Sequence, residues 1–69
     1  MSPEQIVHVL RANTEKFLRV TFRDGVVQSV LIGSVDAEGF VHSGPNGESP
    51  QGFWTRLEDV TLLETEIQI

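Results

Sequence analysis

Apolar residues follow a helical spacing at the start of the chain and a strand-like alternation after it. Ile6 and Leu10 lie four positions apart, as on one face of a helix. Ser2 can cap that helix, and Gln5 occupies the glutamine position of a capping box. The pattern predicts a helix over residues 3–12. A helix this short is marginal in isolation, so we expect it to pack on an apolar surface.

From Lys16 onwards the apolar residues alternate with polar ones, as in half-buried β-strands. Glu58-Asp59 interrupts the last part of this pattern and is predicted to form one short helical turn. The alternation predicts five strands, over residues 16–23, 26–35, 40–43, 53–57 and 60–69. In the fifth strand, Thr61, Leu63, Thr65, Ile67 and Ile69 are predicted to share one face.

Glycines mark the predicted connections. Asp24-Gly25 is typical of a tight hairpin turn, because this pair tolerates positive φ angles. Gly33 predicts a bend or bulge within the second strand. Gly39 is placed for a left-handed residue at the end of the turn 36–39. Residues 44–52 have no apolar side chain apart from prolines and are predicted to form a loop.

A helix followed by five short strands predicts an all-β domain, a small five-stranded and strongly bent barrel with a short N-terminal α-helix. The 69 residues allow one domain, residues 1–69. Chains this short usually need a disulfide, a metal or a partner subunit to be stable. The sequence has no cysteine, so we expect a partner subunit and therefore a homo-oligomer.

Charge is distributed unevenly along the chain. The net charge is −5, with four basic and three acidic residues in 1–35 but one basic and seven acidic residues in 36–69. An acidic chain argues against nucleic acid and anionic membranes as partners. The longest apolar run is Val30-Leu31-Ile32, far too short to span a membrane. With no signal-peptide pattern visible, the expected location is cytoplasmic.

The segment Leu18-Arg-Val-Thr-Phe-Arg-Asp-Gly25, followed by Asp36, resembles the first signature of the Sm-like (LSm) family. The motif match covers residues 18–41, and its alternation is also similar to barrels of the Src-homology-3 type. The resemblance implies a bent barrel and ring-type assembly. The chain departs from the family where Val30 replaces a glycine, where 37–40 lacks the base-binding asparagine, and where Glu58-Asp59 replaces Arg-Gly. These departures argue against RNA binding.

No arrangement typical of catalysis or metal binding is present in the sequence. His8 and His42 do not have the spacing of a metal-ligand pair, and we expect both to be surface or half-buried histidines. Glu58 and Asp59 would point to opposite faces of an extended strand, which prevents an acid–base pair. No nucleophile motif such as Gly-x-Ser-x-Gly occurs. We therefore expect a protein that is not an enzyme and that uses no cofactor or metal.

The fourth strand contains the clearest candidate for partner binding. Alternation places Phe53 and Leu57 on the core face, and Trp54 and Arg56 side by side on the outer face. Tryptophan and arginine are the residue types most enriched at binding hot spots. The alternative is structural: Trp54 covers an open barrel end, and Arg56 pairs with a local acid.

Two further pairs complete the candidate partner-binding residues. Arg19 and Arg23 share one face of the first strand, either as a sparse anion site or, as we favour, as a solvated face. Ile67 and Ile69 end the last strand, where an open apolar edge would need a partner. We expect the last strands to mediate self-association.

The sequence therefore indicates a non-enzymatic assembly or binding module that forms a homo-oligomer and has an unidentified ligand. One alternative is an RNA-binding Sm-like protein, against which the charge and the missing asparagine argue. The other is a peptide-binding adaptor domain. The absence of tyrosine argues against the adaptor, because such grooves are usually lined by several exposed aromatic side chains.

Overall fold

A computed structural model describes residues 2–45 and 47–65 of the chain. The predicted helix is confirmed as α1, Pro3–Ala12. Its capping box is complete: the backbone N–H of Gln5 donates to Ser2 Oγ, and the backbone N–H of Ser2 donates to Gln5 Oε1. Ile6 and Leu10 form the buried face of α1, which packs against the second strand, the fifth strand and the turn before the fifth strand.

Five antiparallel strands follow α1 and form one sheet in the order β4-β3-β2-β1-β5. A single 3-10 turn, Leu57–Asp59, separates the last two strands as predicted. The strands are β1 Phe17–Phe22, β2 Val27–Val35, β3 Gly39–His42, β4 Phe53–Arg56 and β5 Val60–Thr65. Within the described residues no ladder joins β4 to β5. The structure therefore shows a mostly β domain, and it does not show a closed barrel.

The bend predicted in the second strand is confirmed at Gly33. The β2–β3 register shifts between Ile32 and Val35. A Cβ atom at Gly33 would overlap the carbonyl oxygen of Pro50, which lies directly over the glycine backbone. β2 pairs with β1 along its first half and with β3 along its second half. The bulge lets one long strand belong to both parts of the bent sheet.

The two predicted tight turns use their glycines for different reasons. Gly25 has φ +89°, as the Asp24-Gly25 prediction requires, and Asp24 Oδ1 accepts from the backbone N–H of Val26. Gly39 does not have a positive φ, so the left-handed conformation predicted for it is wrong. A Cβ atom at Gly39 would instead collide with the ring of Trp54 and the backbone of Thr55. Close approach of a neighbouring strand is what requires glycine there.

The predicted face of the fifth strand is only partly correct. Leu63 is buried, but Thr61 is exposed, and its hydroxyl donates to the carbonyl of Thr21. Val60 is buried instead, because the β1–β5 register shifts beside Phe22 and reverses the alternation. Ile67 and Ile69 lie outside the described residues.

The core lies between α1 and the concave face of the sheet. The helix contributes Ile6 and Leu10 to it, and the remaining members come from every strand except β4 and from the 3-10 turn. They are Leu18, Val20, Val30, Ile32, Phe40, Leu57, Val60 and Leu63. Among the described residues, no helix combines the length and the apolar character needed to cross a bilayer.

Candidate functional site

A cavity of about 750 Å³ lies at the end of the sheet that carries the Asp24-Gly25 turn. We call this the cavity end. The opposite end, where α1 lies beside the turn 36–39, is the helix end. Three aromatic side chains dominate the cavity wall: Phe22 at the end of β1, His42 at the end of β3, and Phe53 at the start of β4. A volume of this size is within the range of small-molecule sites.

His42 is the centre of the aromatic wall. Its ring stacks on Phe53, with centroids 5.9 Å apart and planes 16° apart, and it lies 6.2 Å from the ring of Phe22. The sequence predicts a surface or half-buried histidine, which is wrong, because His42 is buried. Phe40 covers the core side of the ring, at a centroid distance of 5.1 Å.

Both ring nitrogens of His42 have partners within the chain. Nδ1 lies 2.7 Å from the carbonyl oxygen of Ser43, which can only accept, so Nδ1 carries a hydrogen. Nε2 lies 2.7 Å from the hydroxyl of Thr55, which can either donate or accept. The Ser43 hydroxyl donates to Gly44 and accepts from the backbone N–H of Leu31. These hydrogen bonds engage the polar groups of the wall with one another and hold the wall in place.

Within the described residues, two half-buried polar side chains of the cavity have no partner. Gln28 lies opposite the core residue Val20, half-buried on the inner face of the sheet. Asp59 ends the 3-10 turn and is also half-buried, and its backbone carbonyl accepts from the N–H of Arg23. Within residues 2–45 and 47–65, neither the Gln28 amide nor the Asp59 carboxylate makes a hydrogen bond or ion pair. Among the described residues, the cavity therefore contains one unpaired carboxylate and one unpaired amide.

Phe53 is the cavity residue whose burial the sequence predicts incorrectly. The sequence predicts that both Phe53 and Leu57 face the core, and Leu57 is buried as expected. Phe53 is 57% exposed, although its ring lies against buried His42. The strand alternation is correct, but β4 begins at the open end of the sheet, where no second layer covers an inward side chain.

Trp54 lies on the outer face of β4, as predicted, and its ring packs closely against β3. The ring passes over Gly39, where any side chain would collide with it. The indole is nevertheless 48% exposed. Trp54 thus combines a structural role with a large and rigidly held apolar surface.

Asp36 organises the turn beneath Trp54. Its Oδ1 accepts from the backbone N–H groups of Glu38, at 2.7 Å, and Gly39, at 2.8 Å. These two bonds are the main reason that the pKa of Asp36 lies below its ordinary value, and the Trp54 side chain adds to the effect.

The other predicted partner-binding residues lie in different parts of the structure. Arg56 is exposed beside Trp54 and forms an ion pair of 3.3 Å with Glu58, so the local-acid interpretation is confirmed. Arg19 lies opposite Glu64 of β5 in the sheet register. Arg23 lies beyond the end of β1 and lines the cavity, so the predicted shared strand face with Arg19 is not formed. Ile67 and Ile69 are outside the described residues.

Among the described residues, no group of three or more His, Cys, Asp or Glu side chains is arranged to hold a metal ion. The sequence also contains no direct indication of the cavity, because Phe22, His42 and Phe53 come from three separate strands.

Comparisons of the chain with models of protein families, with curated proteins and with solved structures find no match.

Proposed function

We propose that the protein is a non-enzymatic assembly module, an Sm-like small barrel whose copies associate through their edge strands. The observation that carries the proposal is the position of β4 and β5 at the two edges of the sheet. Within the described residues β4 and β5 each have a neighbouring strand on one side only, and proteins normally pair or cover such edges.

Pairing β5 of one copy with β4 of the next would use both edges at once. Such a contact joins unlike surfaces, and head-to-tail contacts close into rings when the rotation between copies permits. The described edges are comparable in length, four residues in β4 and six in β5. Arg56 on β4 and Glu64 on β5 also give the two edges opposite charges.

Trp54 is the residue that we expect to anchor this contact. It lies on the edge strand β4, and the close packing of its ring over Gly39 restricts the orientation of the ring. Little side-chain entropy is therefore lost when a neighbouring copy covers the exposed half of the ring. Large and rigid aromatic side chains of this kind are typical hot spots.

Multi-angle light scattering at micromolar concentration tests the proposal. We expect a mass several times that of the 7.7 kDa chain. Trp54→Ala should weaken association by more than about 1 kcal/mol, and deletion of residues 66–69 should lower the mass and the thermal stability together. Phe17→Ala is the matched control, since Phe17 is an exposed aromatic residue on the interior strand β1. A monomer at high concentration contradicts the assembly proposal.

A monomer would favour the peptide-binding alternative, because an open β4 edge can also accept an extended peptide as an added strand. The RNA-binding alternative is tested by fluorescence anisotropy with uridine- and adenosine-rich RNA. We expect no useful affinity at physiological salt, because the whole chain has five basic residues and a net charge of −5. Submicromolar binding would restore the RNA-binding interpretation.

A further inference from the structure

We propose that the cavity at the end of the sheet binds a guanidinium group, either of a free small molecule or of an arginine side chain. The cavity is formed within one chain, between the ends of β1, β2, β3 and β4. The inference therefore goes beyond self-association and does not depend on it. Three features carry it: flat aromatic surfaces, unpaired acceptors, and the sign of the charge around the cavity.

The aromatic wall provides the stacking surface. Phe53 is more than half exposed, and its other face is supported by the ring of His42. Phe22 forms a second apolar surface of the cavity. A guanidinium is planar, weakly hydrated compared with an ammonium, and stacks favourably on aromatic faces.

The polar groups that remain unpaired match a donor-rich ligand. The Asp59 carboxylate accepts only, and the Gln28 amide offers a carbonyl oxygen. The hydroxyls of Ser43 and Thr55 and both nitrogens of His42 are already engaged within the protein. A guanidinium has five N–H donors in one plane, so it can stack on Phe53 and donate at its edge.

The local charge favours a cation. Apart from His42, the ionisable side chains along the cavity are Asp24, Asp59 and Arg23, whose formal charges sum to −1, in a chain of net charge −5. Asp24 is engaged by the N–H of Val26. Arg23 is exposed and has no ion pair among the described residues. Its own guanidinium would compete with a bound cation for Asp59.

The test is an NMR titration of the ¹⁵N-labelled full chain with N-acetyl-arginine amide. N-acetyl-citrulline amide is the matched ligand, because it replaces the guanidinium by a neutral urea of nearly the same shape. We expect saturable shifts at residues 22–28, 42–44, 53–55 and 59 with the arginine compound, and at least about tenfold weaker binding of the citrulline compound. Equal binding of the two, no binding, or shifts centred elsewhere would overturn the proposal.

Two pairs of variants locate the contact. Asp59→Asn should weaken binding about tenfold, whereas Glu58→Gln, the same charge change on the preceding residue, should leave it unchanged. Phe53→Leu should weaken binding about two- to fivefold, and Phe17→Leu on β1, outside the cavity, should not. Chemical shifts far from the substitution report that each variant remains folded. Full affinity in Asp59→Asn would contradict the assignment.

The variant Arg23→Gln tests whether the cavity binds cations or anions. Removal of the competing charge should strengthen binding of the arginine compound about twofold. Weaker binding, or tighter binding of inorganic phosphate to the unmodified protein than of the arginine compound, would overturn the proposal. Comparison of the peptide Gly-Gly-Arg-Gly-Gly with agmatine distinguishes the two possible sources of the guanidinium group, an arginine side chain and a free small molecule. Tighter binding of the peptide supports an arginine side chain, and tighter binding of agmatine supports a free guanidinium compound.

Discussion

The inner face of the sheet is covered differently at its two ends, the helix end and the cavity end. At the helix end α1 lies over the sheet, and Leu10 and Leu18 are both fully buried. At the cavity end no described element provides a comparable cover. Buried His42 is sheltered there by Phe53, which is itself more than half exposed.

The difference shows how a small domain can have a well-packed core at one end and an open cavity at the other. A chain of 69 residues buries only about 60% of the surface that its unfolded form exposes. Ile6 and Leu10 of α1 complete the core at the helix end, while the opposite end remains open around a cavity whose wall is held by hydrogen bonds. The helix end should therefore dominate the free energy of unfolding, and the cavity end should tolerate substitution.

The largest expected effect comes from cutting back the core at the helix end. Leu10→Ala should lower the free energy of unfolding by about 2–5 kcal/mol, because Leu10 has no exposed surface and its loss leaves a cavity. Phe53→Ala at the cavity end should cost about 1 kcal/mol, the scale of one stacked aromatic pair. Urea denaturation measures both. Equal losses would show that the cavity end is as tightly packed as the helix end.

A smaller effect is expected from adding a methyl group at each end. Gly39→Ala should destabilise the fold by about 1–3 kcal/mol, because the new atom meets the backbone of Thr55 and the ring of Trp54. Gly44→Ala at the cavity end meets only the ring of Phe53, at 3.2 Å, and that exposed ring can shift. Thermal unfolding compares the two variants. If Gly39→Ala were harmless, the close approach of β4 to β3 could not be what requires glycine.

A stabilising change is expected where α1 joins β1. Glu15 has φ +65°, a conformation that is costly for any residue with a Cβ atom. Glu15→Gly should raise the free energy of unfolding by up to about 1 kcal/mol. Thr14→Gly is the control and should not stabilise, because Thr14 has no positive φ. A loss of stability in Glu15→Gly, measured by urea denaturation, would contradict this account of the turn.

The smallest effect concerns pH at the turn beneath Trp54. The folded-state pKa of Asp36 is lowered, chiefly by the N–H groups of Glu38 and Gly39. The unfolded chain therefore binds the proton more readily than the folded one. The stabilisation is complete above about pH 5, and it is lost as the pH falls past about 4 and through the lowered pKa.

Asp36→Asn should reduce the fall of the melting temperature between about pH 5 and 2. Asp24→Asn is the matched control, since Asp24 also accepts from a backbone N–H, in the turn at the cavity end. An unchanged pH profile in Asp36→Asn would show that Asp36 contributes nothing to acid stability.

Local patterns were sufficient where neighbouring residues determine the conformation. Ser2 and Gln5 predict the start of α1, because a capping box is complete within four residues. Asp24-Gly25 predicts its turn, and Gly33 predicts the bulge in β2. The candidate pair Trp54 and Arg56 was also correctly placed on the outer face of β4, because alternation depends only on strand geometry.

Local patterns failed where a distant strand decides the outcome. Gly39 was expected to have a positive φ, but the ring of Trp54, fifteen positions later in the sequence, is what excludes a side chain there. Thr61 was predicted to share a face with Leu63, but the register shift against β1 buries Val60 in its place. No pattern in one strand can report a register shift against another.

The sequence by itself determined the helix, the five strands and most of the inner and outer faces, because capping, turn chemistry and alternation act over a few residues. Only the tertiary structure decided the cavity and its chemistry. Phe22, His42, Phe53 and Asp59 meet because the bulge at Gly33 folds the sheet upon itself and the 3-10 turn returns the chain to β1. Such a meeting depends on contacts between residues that are far apart in sequence, which no local pattern records.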